Sequence, residues 1–439
     1  MSTAKFLKIA RESLPGGGIW TFSSRPVGFA NSLDTPDFLI DRAKGAYVWT
    51  TNGDQLLDMV LGSGSVLVGH AHPQLVGAVG AQVALGANYS HLSIPVVKLA
   101  ARICEIVPCA EKVRFFNSAT EAWAIALRTL RALRGRDLIL KFEGAFHGGN
   151  DSTLFNTNYG DHQNWAEAPV STPDSPGTAR SDAANIIIAP YDDITRTREI
   201  ANAHKQELAA ILFEPIMRGI SARPGFIEEL RRLANEIHVP LVFDEVITGF
   251  RLGLAGAQGY YGVYPDMAIF GKALGSGFPI GVLVGTDEVM SPLDPATRDG
   301  IRIIAEGSTL ANPVSAIAAL TTLEILSCPG TYEHLHDWGT RLFEGLAEVF
   351  AQRGILIQCT GVGPIVEFFV SNEPIYNYRA AVNTDLTLKS ILARGMYSNR
   401  VFGGGGRFNC SLAHGASELD WIIEAVNAIL GPARHRSII

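Results

Sequence analysis

The segment Leu241–Gly285 reads LVFDEVITGFRLGLAGAQGYYGVYPDMAIFGKALGSGFPIGVLVG. Asp244 ends an apolar run, and Lys272 lies between two apolar stretches that are punctuated by glycine. Burial disfavours the charged ammonium form of a lysine, so an amine in such surroundings becomes nucleophilic near neutral pH. This is the chemistry of a lysine that forms a Schiff base with an aldehyde.

Two interpretations of Lys272 are open. A lysine at the end of a strand can keep its ammonium group in solvent while its stem packs on apolar surface. The neighbouring glycines Gly271, Gly275, Gly277 and Gly281 indicate instead that the backbone approaches a bound molecule closely. We therefore favour a chemical role for Lys272.

Short apolar runs alternate with helical patterns through the middle of the chain. Helices are predicted at Glu121–Leu133 and Ile227–Ile237. The predicted strands are Val113–Phe116, Leu138–Phe142, Ile186–Ile188, Ala210–Phe213, Leu241–Phe243, Ala268–Phe270 and Val282–Val284. Continuous apolar strands joined by helices indicate an α/β fold with a mostly parallel sheet that is covered by helices on both faces.

The flanking regions predict a second, smaller lobe. Two strand patterns flank Asn52-Gly53 as a hairpin, and an amphipathic helix is predicted at Glu418–Leu430. We expect three parts: an arm with small-lobe strands at 1–62, a large domain at 63–312 and a small α+β domain at 313–439. The polar segment Asn156–Ser181 is a candidate mobile loop over a site.

Composition excludes several classes of protein. The 439 residues are 47% hydrophobic and carry a net charge of −7 without basic clusters, so no nucleic-acid partner is expected. Five scattered cysteines indicate neither a metal site nor a disulfide framework, and they favour a cytoplasmic location. No signal peptide is predicted, and no apolar run reaches the roughly 20 residues that a membrane span needs.

Three short motifs carry candidate chemistry. Ser118 and Thr120 follow a strand and begin a helix, which makes either an ordinary cap or an anion site. Phe146 and His147 follow another strand, where they are a stacking platform or, in the simpler interpretation, core and loop residues. Asp244 ends a parallel strand, where a carboxylate points into the ligand crevice unless it is only a cap or surface acid.

Together these motifs resemble the class III, pyridoxal-phosphate-dependent aminotransferases of fold type I. The resemblance runs from Leu14–Gly17 to Ser411–His414 and is closest to the glutamate-1-semialdehyde aminomutase-like branch. It implies a seven-stranded sheet, pyridoxal 5'-phosphate or its pyridoxamine form as cofactor, and a homodimer with site residues from both chains. It also implies a transaminase that moves an amino group between an amine and a 2-oxo acid.

The resemblance assigns roles residue by residue. Lys272 resembles the lysine that holds the cofactor and moves the proton, and Asp244 resembles the partner of its ring nitrogen. The other cofactor-binding assignments are the phosphate cup Ser118, Ala119 and Thr120, the ring faces Phe146 and Val246, the neighbouring His147 and the substrate-side Glu214.

Departures from the family pattern bear on the cofactor site. Ala119 replaces the usual glycine of the cup, and Phe146 stands where tyrosine is common. The threonine that reaches the phosphate of the neighbouring subunit corresponds to Ser308 when no gap is allowed, or to Thr309 after a one-residue shift. Ser308 is slightly favoured because it needs no gap and keeps a hydroxyl group.

A further departure bears on the substrate. Arg407 stands near the position where the aminomutase pattern has a glutamate, and Arg25 lies where related β-amino-acid aminotransferases bind a carboxylate. Arg400 is a third candidate, and Arg407 and Arg400 can instead be structural. We expect a β-amino acid or another carboxylate-bearing amine as donor, with 2-oxoglutarate or pyruvate as acceptor. The alternatives are an aminomutase, a racemase, an amino-sugar transaminase and a non-catalytic partner protein.

Overall fold

The computed structural model describes residues 3–15, 38–157, 169–296, 300–405 and 407–432. The chain forms two compact units. The large unit contains Pro73–Tyr332 with Tyr376–Tyr378, and the small unit contains the described residues of Met1–His72, Glu333–Ile375 and Arg379–Ile439.

Eighteen strands lie in the described ranges. They are β1 Ile40–Lys44, β2 Tyr47–Thr50, β3 Gln55–Asp58, β4 Lys112–Phe116, β5 Leu138–Phe142, β6 Phe155–Asn156, β7 Thr172–Pro173, β8 Ile186–Ala189, β9 Leu208–Phe213, β10 Ile216–Met217, β11 Ile220–Ser221, β12 Leu241–Asp244, β13 Met267–Phe270, β14 Gly281–Gly285, β15 Ile357–Cys359, β16 Ile365–Val370, β17 Val401–Phe402 and β18 Arg407–Asn409.

The same ranges contain fourteen α-helices. They are α1 Thr3–Ser13, α2 Leu61–Gly64, α3 Pro73–Leu85, α4 Ile94–Ile106, α5 Ala119–Arg134, α6 Ile194–Ala203, α7 Phe226–Glu236, α8 Gly256–Tyr261, α9 Asp287–Met290, α10 Pro313–Leu326, α11 Thr331–Ala351, α12 Tyr378–Val382, α13 Thr387–Ser398 and α14 Ala416–Leu430.

The large unit is built around a seven-stranded sheet in the order β4-β14-β13-β12-β9-β5-β8. The pairings from β13 to β8 are parallel, whereas β14 is antiparallel to both of its neighbours. Every residue of β5, β9, β12, β13 and β14 is buried, so both faces of the sheet are covered. All seven strands were predicted from their apolar runs, and the predicted fold class is confirmed.

One edge of this sheet collects the segments that carry chemistry. The carboxyl ends of β4, β5, β9, β12 and β13 point the same way, because β14 is antiparallel to both β4 and β13. The first residue of β14, Gly281, pairs with Phe116 at the end of β4, so it also lies at this edge. In mostly parallel sheets such an edge is where ligands bind.

Both boundaries of the large unit lie further along the chain than the boundaries of the predicted large domain. The large unit begins at Pro73, not at residue 63, and it continues past residue 312 to Tyr332. The reason for the second difference is α10, which packs against α3 and α4 of the large unit. Asn312 caps α10 by accepting a hydrogen bond from the Ser315 amide, at 2.8 Å.

The small unit holds a four-stranded sheet in the order β1-β2-β3-β17 and a three-stranded sheet in the order β15-β16-β18. The predicted hairpin is confirmed, since β2 and β3 are antiparallel on either side of Asn52-Gly53. The predicted C-terminal helix is confirmed as α14. The predicted loop Asn156–Ser181 lies partly outside the described residues, and its first residue, Asn156, pairs with Thr172 of β7.

Within the described ranges, no single helix has both the length and the apolar character needed to cross a membrane. One pair of helices, Pro313–Leu326 with Thr331–Ala351, has a sufficient length and composition when taken together, and the two helices are bent by 77° at the break between them.

Candidate active site

Asp244 is the centre of a buried hydrogen-bond network at the end of β12. Its Oδ2 accepts a hydrogen bond from Trp123 Nε1 at 2.9 Å and lies 2.8 Å from His147 Nδ1. Its Oδ1 accepts the amide of Val246 at 3.1 Å. His147 is fully buried. The predicted loop histidine therefore contacts the Asp244 carboxylate inside the protein.

Burial raises the pKa of Asp244 to about 6, and four groups oppose that rise. They are, in decreasing order of effect, the amide of Val246, the Lys272 ammonium group, the Trp123 side chain and the Arg218 guanidinium. Lys272 is therefore close enough to Asp244 to favour its charged form. Asp244 is a carboxylate above pH 6 in the protein alone.

Lys272 is separated from β13 by Gly271 alone and begins a short 3-10 turn, Lys272–Gly275. It is only partly buried, and its φ of 38° lies in the left-handed region that non-glycine residues rarely adopt. Ser276, which ends the turn, has a φ of 45°. Unusual backbone conformations of this kind concentrate at functional sites, where the surrounding fold maintains them.

The helix α5 begins at the same edge of the sheet. Ser118 caps it by accepting the Glu121 amide at 3.2 Å, so the first turn presents amides that have no partner within the helix. Thr120 Oγ1 accepts the amide of Gly149 at 3.2 Å, which holds the loop after β5 against this turn. The N-terminus of a sixteen-residue helix favours an anion.

Glycines make room around this turn. A Cβ at Gly281 would lie 2.1 Å from the Ser118 carbonyl oxygen, and a Cβ at Gly148 would lie 2.9 Å from the Thr120 Cα. A Cβ at Gly271 would lie 3.5 Å from the Ala119 Cβ and 4.0 Å from Val246. Ser118, Ala119, Thr120 and Val246 are thus brought together with the residue that precedes Lys272.

Phe146 lies on the loop after β5, and 37% of its surface is exposed. Its amide donates to Glu214 Oε2 at 3.4 Å, and the guanidinium carbon of Arg218 is 5.3 Å from its ring centroid. Arg218 also donates from Nε to the Gly144 carbonyl oxygen at 2.8 Å. The predicted stacking ring therefore has a cation beside it that sequence reasoning missed.

Glu214 follows β9 and is buried beside these residues. Its Oε1 accepts the amide of Arg218 at 3.1 Å. Burial raises the pKa of Glu214, the charge of Asp244 raises it further, and Arg218 opposes both effects. The site thus places two buried carboxyl groups near two cations, Lys272 and Arg218.

Thr309 and Ser308 are the two candidates for the hydroxyl group that reaches the phosphate of the neighbouring subunit, and they differ in their contacts. Thr309 Oγ1 donates to Asn117 Oδ1 of its own chain at 3.1 Å, one residue before the cap Ser118. The backbone carbonyl of Ser308 accepts Asn88 Nδ2 at 2.8 Å. Both residues stay predictions for the phosphate contact.

The predicted substrate arginines belong to the small unit or lie outside the described residues, as Arg25 does. Arg407 is partly buried on β18, where it pairs across the strands with Glu367. Glu367 also forms a buried ion pair with Lys389, and Arg407 is one of the groups that lower the pKa of Lys389 after the larger effect of burial. Arg400 is exposed at a turn with a φ of 59°.

Trp123 and Arg218 are the site residues that the sequence reasoning missed. Trp123 lies within a buried helix pattern, where an indole is indistinguishable from core. Arg218 carried a weak signal, because an arginine occupies the Met217-Arg218-Gly219 turn between two buried strands and has a φ of 53°.

The sequence model of the family described as aminotransferase class-III matches residues 29–430. The chain belongs to the class III aminotransferase family. It is similar to a solved omega-transaminase from Sphaerobacter thermophilus, with 30% identity over 98% of this chain and 97% of that one and a TM-score of 0.88.

Two further solved structures are similar. A beta-phenylalanine aminotransferase from Variovorax paradoxus is 25% identical over 98% of this chain and 93% of that one, with a TM-score of 0.82. A glutamate-1-semialdehyde aminomutase from Pseudomonas aeruginosa PAO1 shares the fold, with 22% identity over 98% and 94% of the two chains and a TM-score of 0.84. As a member of this family, the chain is a pyridoxal-phosphate-dependent transaminase.

The residues present fit this cofactor. The amides at the start of α5 and the space left by Gly281 suit a phosphate group. The buried Asp244, with one oxygen engaged twice, suits a ring N–H, and Lys272 supplies an amine nearby. Phe146 and Val246 would be the apolar groups for the two faces of the ring.

Proposed function

We propose that the chain transfers an amino group from a carboxylate-bearing amine to a 2-oxo acid, with Lys272 and Asp244 as its catalytic residues. The observation that carries the proposal is the juxtaposition of Asp244 and Lys272 at the sheet edge where α5 begins. Pyridoxal phosphate, when bound, supplies an aldehyde carbon that takes up the amino group and a protonated ring that withdraws electrons.

The protein's own groups divide the remaining tasks. The start of α5, with Ser118, Ala119 and Thr120, would bind the phosphate. The Asp244 carboxylate would keep the ring nitrogen protonated. Lys272 Nζ removes the proton from the substrate carbon and later returns a proton, which is general acid–base catalysis by a positioned amine.

Lys272 is tested by trapping. Borohydride reduction of the loaded enzyme should leave a pyridoxyl group on Lys272, located by mass spectrometry. Lys272→Ala should abolish that label and lower turnover by at least about 100-fold, the scale of positioned proton transfer. Lys112→Ala, which removes an exposed lysine, is the matched control and should behave as the wild type. A wild-type protein that stays colourless with pyridoxal phosphate would support a non-catalytic partner protein instead.

The donor class rests on Arg407 and Arg25. Arg407 lies across the strands from Glu367, which forms a buried ion pair with Lys389, and the charge of Arg407 acts on Lys389. An arginine at this position suits a substrate carboxylate, which it can bind through two hydrogen bonds. Arg407→Gln should lower kcat/KM about 10- to 100-fold for a β-amino acid, the loss of one charge-assisted hydrogen bond. It should leave the corresponding amine without a carboxylate unaffected, and Arg341→Gln, which changes an exposed arginine of the small unit, serves as the control.

Equal losses for both amines would show that Arg407 is structural. The same donor screen separates the rival reactions. Product formation without any 2-oxo acid would indicate an aminomutase or a racemase, and turnover of an amino sugar alone would indicate a biosynthetic-pathway enzyme.

We propose that the enzyme is a homodimer in the cytoplasm. The helices α3 and α4 expose Val76, Val83, Ile94 and Val97, spaced so that each pair shares one helix face, and Leu92 nearby is 73% exposed. An apolar face of this kind is typical of a protein interface.

Free thiols at the surface, such as Cys104 and Cys328, suit a reducing compartment, which supports the cytoplasmic location. Cell fractionation tests this location.

The dimer is tested at Ile94, which is 72% exposed at the first position of α4. Ile94→Asp suits a helix N-terminus, so the helix itself should be unharmed. We expect this variant to change from dimer to monomer in sedimentation, whereas Leu356→Asp on the small unit should stay dimeric. A monomeric wild type would exclude the dimer.

A further inference from the structure

Trp123 is a completely buried hydrogen-bond donor of the candidate site. It is the fifth residue of α5 and donates from Nε1 to Asp244 Oδ2 at 2.9 Å. Its ring lies 4.8 Å from the ring of His147, centroid to centroid. Trp123 and His147 therefore meet each other and the same carboxylate oxygen.

The two carboxylate oxygens of Asp244 have different numbers of hydrogen-bond partners. A carboxylate oxygen accepts about two hydrogen bonds, so Oδ2 is saturated by Trp123 and His147. Oδ1 accepts only the Val246 amide among the contacts within the described ranges. The free acceptor position of Asp244 is thus on Oδ1.

Trp123 also connects this carboxylate to the phosphate cup. Ser118 caps α5, and Trp123 lies little more than one turn later on the same helix. A helix is rigid over that distance, so a single element carries both the anion site and the donor that orients Asp244.

We propose that Trp123 is a positioning residue for the cofactor: its indole N–H holds Asp244 with Oδ1 toward the pyridine nitrogen while α5 holds the phosphate. The inference rests on the proposed function, because it requires that pyridoxal phosphate binds at this site. It assigns a role to a residue that contacts neither the substrate nor the reacting atoms.

The charges around Asp244 set the expected pH response. His147, Lys272, Arg218 and Glu214 are the titratable or charged groups that face it. Burial raises the pKa of Asp244 to about 6, and the Trp123 side chain is among the groups that oppose the rise. Without the indole N–H, Asp244 should titrate about one pH unit higher, a tenfold change in its ionisation constant.

The test measures binding of pyridoxal phosphate to the cofactor-free protein from pH 5 to 9. Trp123→Phe should move the acid midpoint of binding up by about one unit and weaken binding about fivefold at pH 6. The matched control is Trp338→Phe, which removes a buried indole donor to the Gly415 carbonyl oxygen at 3.0 Å in the small unit. This control should keep the wild-type midpoint.

A second replacement separates the hydrogen bond from packing. The analogue 3-benzothienylalanine at position 123 keeps the indole shape without its N–H and should reproduce the shift. An unchanged midpoint in both proteins, or a loss of affinity that is equal at every pH, would overturn the role of Trp123. If the wild type itself does not bind pyridoxal phosphate, the proposed function fails instead.

Discussion

The guanidinium carbon of Arg218 lies 5.3 Å from the centroid of the Phe146 ring. Arg218 lies in a turn and has a φ of 53°. Its side chain donates a hydrogen bond to the Gly144 carbonyl oxygen, and its backbone amide donates to the Glu214 carboxylate. The ring that is assigned to stack on the cofactor is thus held by a neighbouring cation, although it lacks the hydroxyl group of the usual tyrosine.

This relationship predicts that Arg218→Gly folds but works poorly. Glycine adopts a positive φ without strain, so the turn should keep its backbone conformation, although removal of a buried side chain should lower the free energy of unfolding. Loss of the cation–π contact and of a buried hydrogen bond should cost the site about 1–2 kcal/mol, a fall in kcat/KM of roughly tenfold. The measurement is steady-state kinetics beside thermal unfolding.

The control for Arg218 is a second cation–π pair in the small unit. Arg42 Cζ lies 4.5 Å from the Trp49 ring, and the Arg42 side chain is exposed. Arg42→Gly should leave kcat/KM unchanged. If both variants lose activity equally, or neither does, the ring-holding role of Arg218 is wrong.

The close packing around Gly281 predicts that a substitution at this position will damage only the phosphate cup. A Cβ at this position would meet the Ser118 carbonyl oxygen at 2.1 Å and the Ala119 nitrogen at 2.8 Å, and both are backbone atoms that cannot move alone. Gly281→Ala should therefore displace the start of α5 and weaken pyridoxal phosphate binding by at least about tenfold, a loss of more than 1.4 kcal/mol.

Two measurements complete the Gly281 test. Gly253→Ala is the control, because its Cβ would meet nothing within 4 Å. Pyridoxal, which has no phosphate, should bind the wild type and Gly281→Ala with similar affinity. A variant that binds both compounds as well as the wild type would show that the cup does not depend on Gly281.

Glu245 predicts an unusual dependence of stability on pH. It is fully buried and accepts the amides of Ala257 at 2.8 Å and Gln258 at 3.1 Å, and burial raises its pKa to about 7. The folded protein therefore binds this proton more tightly than the unfolded chain. The free energy of unfolding should fall as pH rises from about 4.5 to 7, by up to about 1.4 kcal/mol per pH unit.

Chemical denaturation of the cofactor-free protein at several pH values measures this effect. Glu245→Gln cannot ionise, so the difference between the two proteins isolates Glu245 from other groups such as His414. The exposed Glu228→Gln should keep the wild-type slope. Identical slopes for the wild type and Glu245→Gln would contradict the raised pKa.

Much of the large unit was predictable because burial on both faces of a sheet leaves a direct mark on the sequence. The runs that became β9 and β13 are apolar throughout, β12 is apolar up to its last residue, Asp244, and β5 is apolar except for Lys141. Asp244 and Lys272 stood out because the first ends such a run and the second follows one after a single glycine. A charged residue at the end of an apolar strand is costly unless the fold uses it.

The contacts of these residues could not be predicted in the same way. Trp123 meets Asp244 across 121 positions of sequence, and Arg218 meets Gly144 across 74. Such pairs depend on strand order, which local patterns do not encode. The domain boundaries differ for a similar reason, because α10 follows the predicted large domain in sequence and packs on α3 and α4 within the large unit.

The last prediction concerns Thr309 and Ser308. The Thr309 hydroxyl group contacts Asn117, whose own amide donates to Glu121 Oε2 at 2.8 Å, and these residues flank the cap Ser118. We expect Thr309→Ala to weaken pyridoxal phosphate about tenfold and pyridoxal very little, since one hydrogen bond to a charged group is lost. Thr309→Ser should restore affinity. Ser308→Ala, at the position that the ungapped sequence comparison favours, should match the wild type, because Ser308 contacts Asn88 through its backbone carbonyl oxygen.

Hybrid dimers then identify which chain supplies the hydroxyl group. In a dimer of Thr309→Ala with Lys272→Ala, a hydroxyl donated across the interface leaves the intact Lys272 with the intact Thr309 of the other chain. That hybrid should keep one site of wild-type affinity for pyridoxal phosphate if Thr309 acts across the interface. It should keep none if Thr309 serves its own chain through Asn117. The reverse ranking, with Ser308→Ala the weaker binder, would give the phosphate contact to Ser308.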